Sequence, residues 1–132
     1  MITIEDVLSS LHELFIEKLP LSYIEEINKE KNDVLLLLPF ENKTLFENCQ
    51  KLPCFKLELL EAEYSEKDRI IENTVFAFAL EIKTKQINEL QIIENCRYTE
   101  AIDKMICEND FDFFEFNISY VKNNKMLFKV IT

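Results

Sequence analysis

The sequence predicts one α+β domain over residues 1–132, with a mixed, mainly antiparallel β-sheet and two helices packed on one of its faces. Three observations lead to this class. Apolar residues recur at helical spacing in two long segments, apolar and polar residues alternate in several strand-length segments, and neither a repeat nor a linker interrupts them. With 132 residues, 48% of them hydrophobic, the chain is long enough to bury a core. The predicted order of elements is α-β-β-β-α-β-β.

The first helix is predicted to begin after Thr3 and to end at Pro20. Thr3 can cap a helix, and the acidic residues after it favour the positive end of the helix dipole. Seven apolar residues follow at helical spacing: Ile4, Val7, Leu8, Leu11, Leu14, Phe15 and Leu19. Pro20 lacks the amide hydrogen that a continuing helix needs, so the helix is expected to stop there.

The segment from residue 21 to residue 52 has the weakest pattern. One further helical turn is expected at 22–27, a charged turn at 29–33 and a short helix at 44–46. Val34–Leu38 is a run of five apolar residues that a proline follows, and such a run predicts a buried strand.

The next strand contains two apolar sets that are out of phase: Phe55, Leu57 and Leu59, then Leu60, Ala62 and Tyr64. In a regular strand, a slip of one residue would expose half of these side chains to solvent. A β-bulge, which inserts one extra residue, keeps both sets on the same face. We therefore predict a bulge near Leu59–Leu60. Residues 65–69 are expected to form a loop that is too long and too charged for a tight turn.

The return strand, 74–83, is apolar on both faces. Phe76, Phe78, Leu80 and Ile82 share one face, and Val75, Ala77 and Ala79 share the other. This pattern predicts a central strand that a helix covers on one side and that a partner can cover on the other.

A second helix is predicted from Ile87 to Glu108, with its continuity near Tyr98–Thr99 left open. Its expected apolar positions include Leu90 and Ile93. Strands at 111–121 and 126–130 close the domain, and Asn123–Asn124 is expected at the tip of their hairpin. The chain contains no glycine, where average usage gives about nine. Positive-φ positions must therefore fall to Asn or Asp.

Chemistry-bearing motifs are scarce. No glycine-rich phosphate loop can exist, and His12 is expected to be a solvated helix residue. Four cysteines without a Cys-x-x-Cys pair predict reduced, buried thiols and no zinc site. The acidic group of Glu108, Asp110 and Asp112 is weak evidence for a metal site. We therefore expect no enzyme activity, no cofactor and no metal.

Charge limits the partners. Fifteen basic against 25 acidic residues give a net charge of −10, which disfavours direct binding to nucleic acid and to an anionic membrane. Outward-facing charges on the long hairpin are the candidates for a protein–protein interface: Lys56, Glu58, Glu61, Glu63, Glu66, Lys67, Asp68 and Arg69.

The order of elements, with Pro53-Cys54-Phe55 at the start of the hairpin and Phe76-Ala77-Phe78-Ala79-Leu80 in the return strand, resembles the tail terminator (tail completion) proteins of long-tailed phages and phage-tail-like particles. The resemblance covers Ile4 to Val130. The family usually has a glycine shortly before that proline, and this chain has none.

The resemblance implies a structural protein that forms a ring, typically a hexamer, on the end of the tail tube and joins it to the head connector or collar. The implied partners are further copies of the chain, tail tube protein and neck, connector or sheath proteins. The implied location is the cytoplasm of a bacterial host during assembly and then the finished particle.

A second hypothesis uses the charge alone. A small acidic protein can inhibit a nucleic-acid enzyme by mimicking its substrate. A single stripe of carboxylates would favour this mimicry, whereas acids spread over the surface would favour the structural role.

Overall fold

A computed structural model describes residues 3–40, 44–47, 51–109, 115–122 and 125–131, with residues 72 and 115–122 described in their backbone only. The helical elements are α1 (Ile4–His12), a π-helical segment (Glu13–Tyr23), α2 (Ile24–Lys31) and α3 (Asn88–Glu108). The strands are β1 (Cys54–Lys67), β2 (Ile70–Lys83), β3 (Glu115–Lys122) and β4 (Lys125–Ile131). They form one sheet in the order β1-β2-β4-β3, and all pairings among these described strands are antiparallel. The α+β class is confirmed.

The first helix does not end at Pro20, so the predicted stop is wrong. Thr3 caps α1 as expected, in a capping box with Asp6. From Glu13 to Tyr23 the helix then adopts the wider π-helical register, and Pro20 lies inside it. A proline ring clashes with the carbonyl four residues earlier in an α-helix, and a wider turn relieves that contact. Four buried side chains hold the segment on the core: Leu14, Phe15, Leu19 and Tyr23.

The helix continues as α2 through most of the predicted charged turn. It ends at Asn32, whose φ of 47° and ψ of 48° are left-handed and whose N–H donates to the carbonyl of Asn28 at 3.0 Å. Among the described residues, four have positive φ: Asn32, Asp68 and Asn88 follow the expected preference for Asn or Asp, and Arg69 does not.

The predicted strand Val34–Leu38 is not formed. Val34 is fully exposed, and within the run only Leu37 is buried. The backbone of Leu37 bonds to a side chain instead of a neighbouring strand: Asn28 Nδ2 donates to its carbonyl at 2.9 Å, and its N–H donates to Asn28 Oδ1 at 2.7 Å. The predicted short helix at 44–46 is also wrong, because residues 45–47 form a bend and Leu45 accepts a hydrogen bond from Leu57 N at 2.7 Å.

Two residues of α3 hold the same segment from the other side. Arg97 binds both carboxylate oxygens of Asp33, at 2.8 and 2.5 Å, and donates to the carbonyl of Leu35 at 2.7 Å. This ion pair lowers the pKa of Asp33 below its usual value. Tyr98 is buried and donates its hydroxyl to the carbonyl of Leu38 at 2.6 Å. The segment therefore lies between the helices as extended chain that side chains hold in place.

Both helical regions pack on one face of the sheet. The predicted inward set of β2, which is Phe76, Phe78, Leu80 and Ile82, is buried as expected. Phe128 of β4 lies between Phe78, with ring centroids 5.4 Å apart, and Phe15 of the π-helical segment, at 6.2 Å. Phe15 also contacts Phe55 of β1 at 5.4 Å, so one aromatic cluster joins the helices to three strands.

Helix α3 is continuous through Tyr98–Thr99. Its second half packs on the core with Ala101, Ile102 and Met105 fully buried. The first turns do not: Leu90 and Ile93, which were expected on the apolar stripe, are 48% and 43% exposed. On α3 the buried positions begin at Glu94, and the hydrophobic core begins at Tyr98.

The cysteines differ from the expected set of reduced, buried thiols. Cys54 is buried and disulfide-bonded, whereas Cys96 and Cys107 are free and exposed on α3. Cys49 lies outside the described residues, as do Asp110, Asp112 and the predicted tip Asn123–Asn124.

Candidate functional site

The hairpin of β1 and β2 extends beyond the rest of the sheet. Both strands have 14 residues, whereas β4 has 7 and pairs with β2 only from Val75 to Glu81. We call residues 64–73 the hairpin arm. Its pairs have no third strand beside them among the described residues. At about 3.3 Å per residue, the arm projects about 13 Å past the sheet.

A bulge interrupts the ladder of this hairpin, and a tight turn closes it. The register of β1 against β2 shifts between Leu59 and Glu61, so the bulge predicted at Leu59–Leu60 is confirmed. The arm closes in a two-residue turn, Asp68–Arg69, and not in the predicted loop of residues 65–69. Both turn residues have positive φ, 54° and 66°, which matches the twist of a tight hairpin.

The arm carries more apolar surface than a solvated ribbon needs. Every described side chain from Glu58 to Asn73 is exposed. Among them are Tyr64, Ile70 and Ile71, which are 56%, 70% and 39% exposed. The bulge adds two more, since Leu59 is 41% and Leu60 51% exposed. A two-stranded ribbon is marginally stable by itself in water, so this surface is suited to contact with a neighbour.

The predicted interface residues fall into two groups. Glu66, Lys67, Asp68 and Arg69 lie at the tip of the arm, and all four are exposed. Lys56, Glu58, Glu61 and Glu63 lie along β1 on the face of the sheet that points away from the helices; Lys56 is half-buried and the others are exposed. The two groups are therefore separate parts of one hairpin.

We call the face of the sheet opposite the helices the open face. Its central column, on β2, consists of the small residues Val75, Ala77 and Ala79. The cross-strand register gives four rows: Glu63–Val75–Ile131, Glu61–Ala77–Lys129, Glu58–Ala79–Leu127 and Lys56–Glu81–Lys125. The β1 side of the open face is thus mainly acidic, and its β4 side is basic and apolar.

Sequence reasoning missed the β4 side of the open face. Lys125 and Lys129 are both exposed, and they alternate with the buried residues Met126, Phe128 and Val130. The alternation was visible in the sequence. The sequence did not show that these lysines share a face with the glutamates of β1, because only the strand register places Lys129 in the same row as Glu61.

Many of the other acidic side chains lie on the helices. Ion pairs among the described residues include Glu13–Lys18, Glu25–Lys29, Glu26–Lys104 and Lys31–Glu100, all between helical side chains, and Asp33–Arg97, which joins α3 to the segment after α2. Among the described residues, acidic side chains therefore occur on the helices as well as along β1.

Two further features lie outside the hairpin. A cleft of about 480 Å³ is lined by Leu38, Pro39, Lys51, Leu52, Pro53 and Lys85, with a cis peptide bond at Leu52–Pro53. Glu94 on α3 is 5% exposed, and burial raises the pKa of its carboxyl. His12 is exposed, as expected.

In the part of the chain that the structure describes, no three His, Cys, Asp or Glu side chains come together as metal ligands would. None of its described helices combines the length and the apolar character needed to cross a bilayer. No protein-family model, no curated protein and no solved structure matches the chain.

Proposed function

We propose that this protein is a structural assembly subunit of the tail terminator type, which forms a ring with further copies of itself and caps a tail tube. The observation that carries the proposal is the hairpin arm. It is a two-stranded extension with exposed Tyr64, Ile70 and Ile71, and it lies outside the core of its own domain.

The physical argument is that the arm gains stability from a neighbouring molecule. Ordering each residue costs about 1–2 kcal/mol of backbone entropy, and few buried contacts within one chain offset it here. Apolar arms that pack on the next subunit are one way in which rings close. The outer strands β1 and β3, which have no further strand beside them among the described residues, offer backbone groups for the same purpose.

The order of elements supports the particular kind of assembly. A leading helix, a long hairpin, a second helix and a closing hairpin are the sequence of elements in which the chain resembles tail terminators. On this proposal the partners are tail tube protein on one side of the ring and connector, collar or sheath proteins on the other.

Mimicry of nucleic acid by an inhibitor is the weaker alternative. On the described helices, four of the twelve acidic residues are paired with lysine, and on the open face Lys125 and Lys129 lie across β2 from the acidic β1 side.

The test is a shortened arm. Residues 65–73 are replaced by Asn-Gly, which joins Tyr64 to Thr74 in a tight turn and leaves the core intact. We expect the variant to fold as before but to lose association, measured by sedimentation velocity, both alone and with the tail tube protein encoded in the same genome. An Asp68→Asn and Arg69→Gly variant with a full-length arm is the matched control.

If the full-length chain stays monomeric in both conditions, the proposal is wrong. A shortened variant that still caps tubes, seen as tubes of fixed length by electron microscopy, would remove the arm from the mechanism.

A further inference from the structure

We infer that the hairpin arm of one copy of the chain binds the cleft beside the base of the hairpin in the next copy, so that copies join head to tail. The inference rests on the self-association that the proposed function requires, but not on a tail tube. We call this cleft, whose volume is about 480 Å³, the base cleft; its lining is Leu38, Pro39, Lys51, Leu52, Pro53 and Lys85.

The hairpin arm and the base cleft lie at opposite ends of the long hairpin. Cys54 pairs with Lys83 at the end that carries the base cleft, and Lys67 pairs with Ile70 at the other end. With 14 residues in β1 at about 3.3 Å each, the two ends are about 40 Å apart. The arm therefore cannot reach the base cleft of its own copy. A contact between two different surfaces is heterologous, and it closes a ring where the rotation between copies allows.

The base cleft has a lining that is unusual for this chain. It combines four apolar residues with two lysines, Lys51 and Lys85, and no acidic residue. The whole chain has 25 acidic against 15 basic residues. Such a lining favours an occupant that is apolar and negatively charged, and it disfavours a basic one.

One side of the hairpin arm has the complementary composition. Tyr64 pairs with the buried Thr74, so its side chain lies on the side of the ribbon that faces the helices. Two residues further along β1, Glu66 lies on the same side and pairs with Ile71. This side of the arm thus presents two exposed apolar side chains with one carboxylate between them, and no basic side chain.

The basic residues of the hairpin arm lie elsewhere. Lys67 pairs with Ile70 on the other side of the ribbon, and Arg69 is in the turn beside Asp68. The arm can therefore turn its acidic and apolar side towards the two lysines of the base cleft while Lys67 points away from them.

The size of the base cleft suits a few side chains of the arm. An apolar cavity of about 150 Å³ holds one benzene-sized group, so the base cleft has room for about three side chains. Tyr64 and Ile71 with the carboxylate between them match that number. One wall is held from the core, because Tyr98 donates to the carbonyl of Leu38 at 2.6 Å and stacks on Phe40 with ring centroids 4.6 Å apart. A wall held in this way needs little ordering when the arm binds.

Two variants separate the two halves of the contact. The shortened arm, with residues 65–73 replaced by Asn-Gly, keeps its base cleft. The cleft variant carries Leu52→Glu and Lys85→Glu at exposed positions and keeps its arm. We expect each variant to self-associate at least about tenfold more weakly than the wild type by sedimentation equilibrium. Leu36→Glu with Lys83→Glu is the control, because it makes the same change in charge at exposed positions outside the base cleft.

A mixture of the two variants tests the direction of the contact. The arm of the cleft variant can bind the base cleft of the shortened variant, but neither molecule can then add a further copy. We therefore expect an equimolar mixture to form a one-to-one pair and no larger species in sedimentation velocity. This pair should be at least about tenfold tighter than the association of either variant with itself.

Three outcomes would overturn the inference. The cleft variant could associate as the wild type does while the shortened variant does not, which would place the arm on another surface and leave the proposed function intact. The mixture could stay monomeric although circular dichroism shows both variants folded. The wild type could stay monomeric at about 100 µM. In that case its assembly with tube protein decides the proposed function separately.

Discussion

At the scale of residues, a few polar side chains determine the path of the chain between its first helix and its sheet. Asn28, Arg97 and Tyr98 bind backbone carbonyls of residues 35–38, and Asn28 also binds the N–H of Leu37. These bonds give the extended segment the partners that a strand would have found in a sheet.

Removing one of these side chains should leave buried backbone groups without partners. We expect Asn28→Ala to lower the free energy of unfolding by about 1–3 kcal/mol, because Leu37 is buried and loses both of its bonds to Asn28. Urea denaturation followed by circular dichroism measures the change. Glu30→Ala, an exposed position on the same helix, is the control and should shift it by less than about 0.5 kcal/mol. Equal effects would mean that the segment does not depend on Asn28.

Glu94 is the buried carboxyl whose charge opposes folding. Burial raises the pKa of Glu94 in the folded state, so the ionised carboxylate lowers the free energy of unfolding. This destabilisation is complete above the folded pKa. It disappears as the pH falls through the folded pKa towards the unfolded pKa. We expect Glu94→Gln to be more stable than the wild type at pH 7, with the difference shrinking on acidification. Urea midpoints of both proteins between pH 7 and pH 4 measure it. A less stable variant at pH 7 would show that the carboxylate has a favourable partner.

At the scale of elements, the bulge in β1 lets the long hairpin keep its two faces although its apolar pattern slips by one residue. On either side of Leu60, the side chains keep their faces: Leu57 pairs with Leu80 on the inner face, and Glu61 pairs with Ala77 on the open face. The extra residue thus bends and twists the strand without exchanging its faces.

Deleting Leu60 should therefore preserve the fold and alter the arm. Without Leu60, β1 can pair with β2 without interruption as far as Ser65, and the second register shift, between Ser65 and Glu66, is left as it is, so we expect the unfolding midpoint to stay close to that of the wild type. The straightened arm should reduce self-association, measured by sedimentation velocity. Leu60→Ala keeps the bulge and is the control. A deletion variant that associates as the wild type does would show that the direction of the arm is not important.

At the scale of the whole molecule, stability is unevenly distributed. The core joins the helices to β1, β2 and β4 through the aromatic cluster, whereas the arm has only its own two strands. Local opening should therefore cost little in the arm and much in the central sheet.

Hydrogen exchange should reveal this gradient. In dilute protein, amides of residues 64–73 should exchange much faster than those of β2 between Val75 and Glu81, where β2 has a strand on both sides. Protection of the arm should rise with protein concentration as copies associate. Exchange followed by mass spectrometry at about 1 and 100 µM measures both effects. An arm that is equally protected at both concentrations would be stable without a neighbour.

The sequence by itself determined the features that depend on short-range pattern. The alternation in β1 and β2 gave the central strand, its inward face and the bulge at Leu59–Leu60, since a strand has a period of two and a slip needs an extra residue. Thr3 marked the start of the first helix, and the absence of glycine left three of the four positive-φ positions in the described part of the chain to Asn and Asp. The arm's charged residues were identified as exposed, although as a loop and not as a strand.

Tertiary structure decided the features that depend on contacts between residues far apart in the sequence. Packing of Leu14, Phe15 and Leu19 on the core carries the helix through Pro20, against its local preference. Val34–Leu38 has a strand's composition, but Asn28, Arg97 and Tyr98 already occupy backbone groups at Leu35, Leu37 and Leu38. Lys129 shares a row with Glu61 only because β2 brings β1 and β4 to its two sides. Pattern fixes which side chains share a face, whereas pairing across distant segments fixes which charges become neighbours.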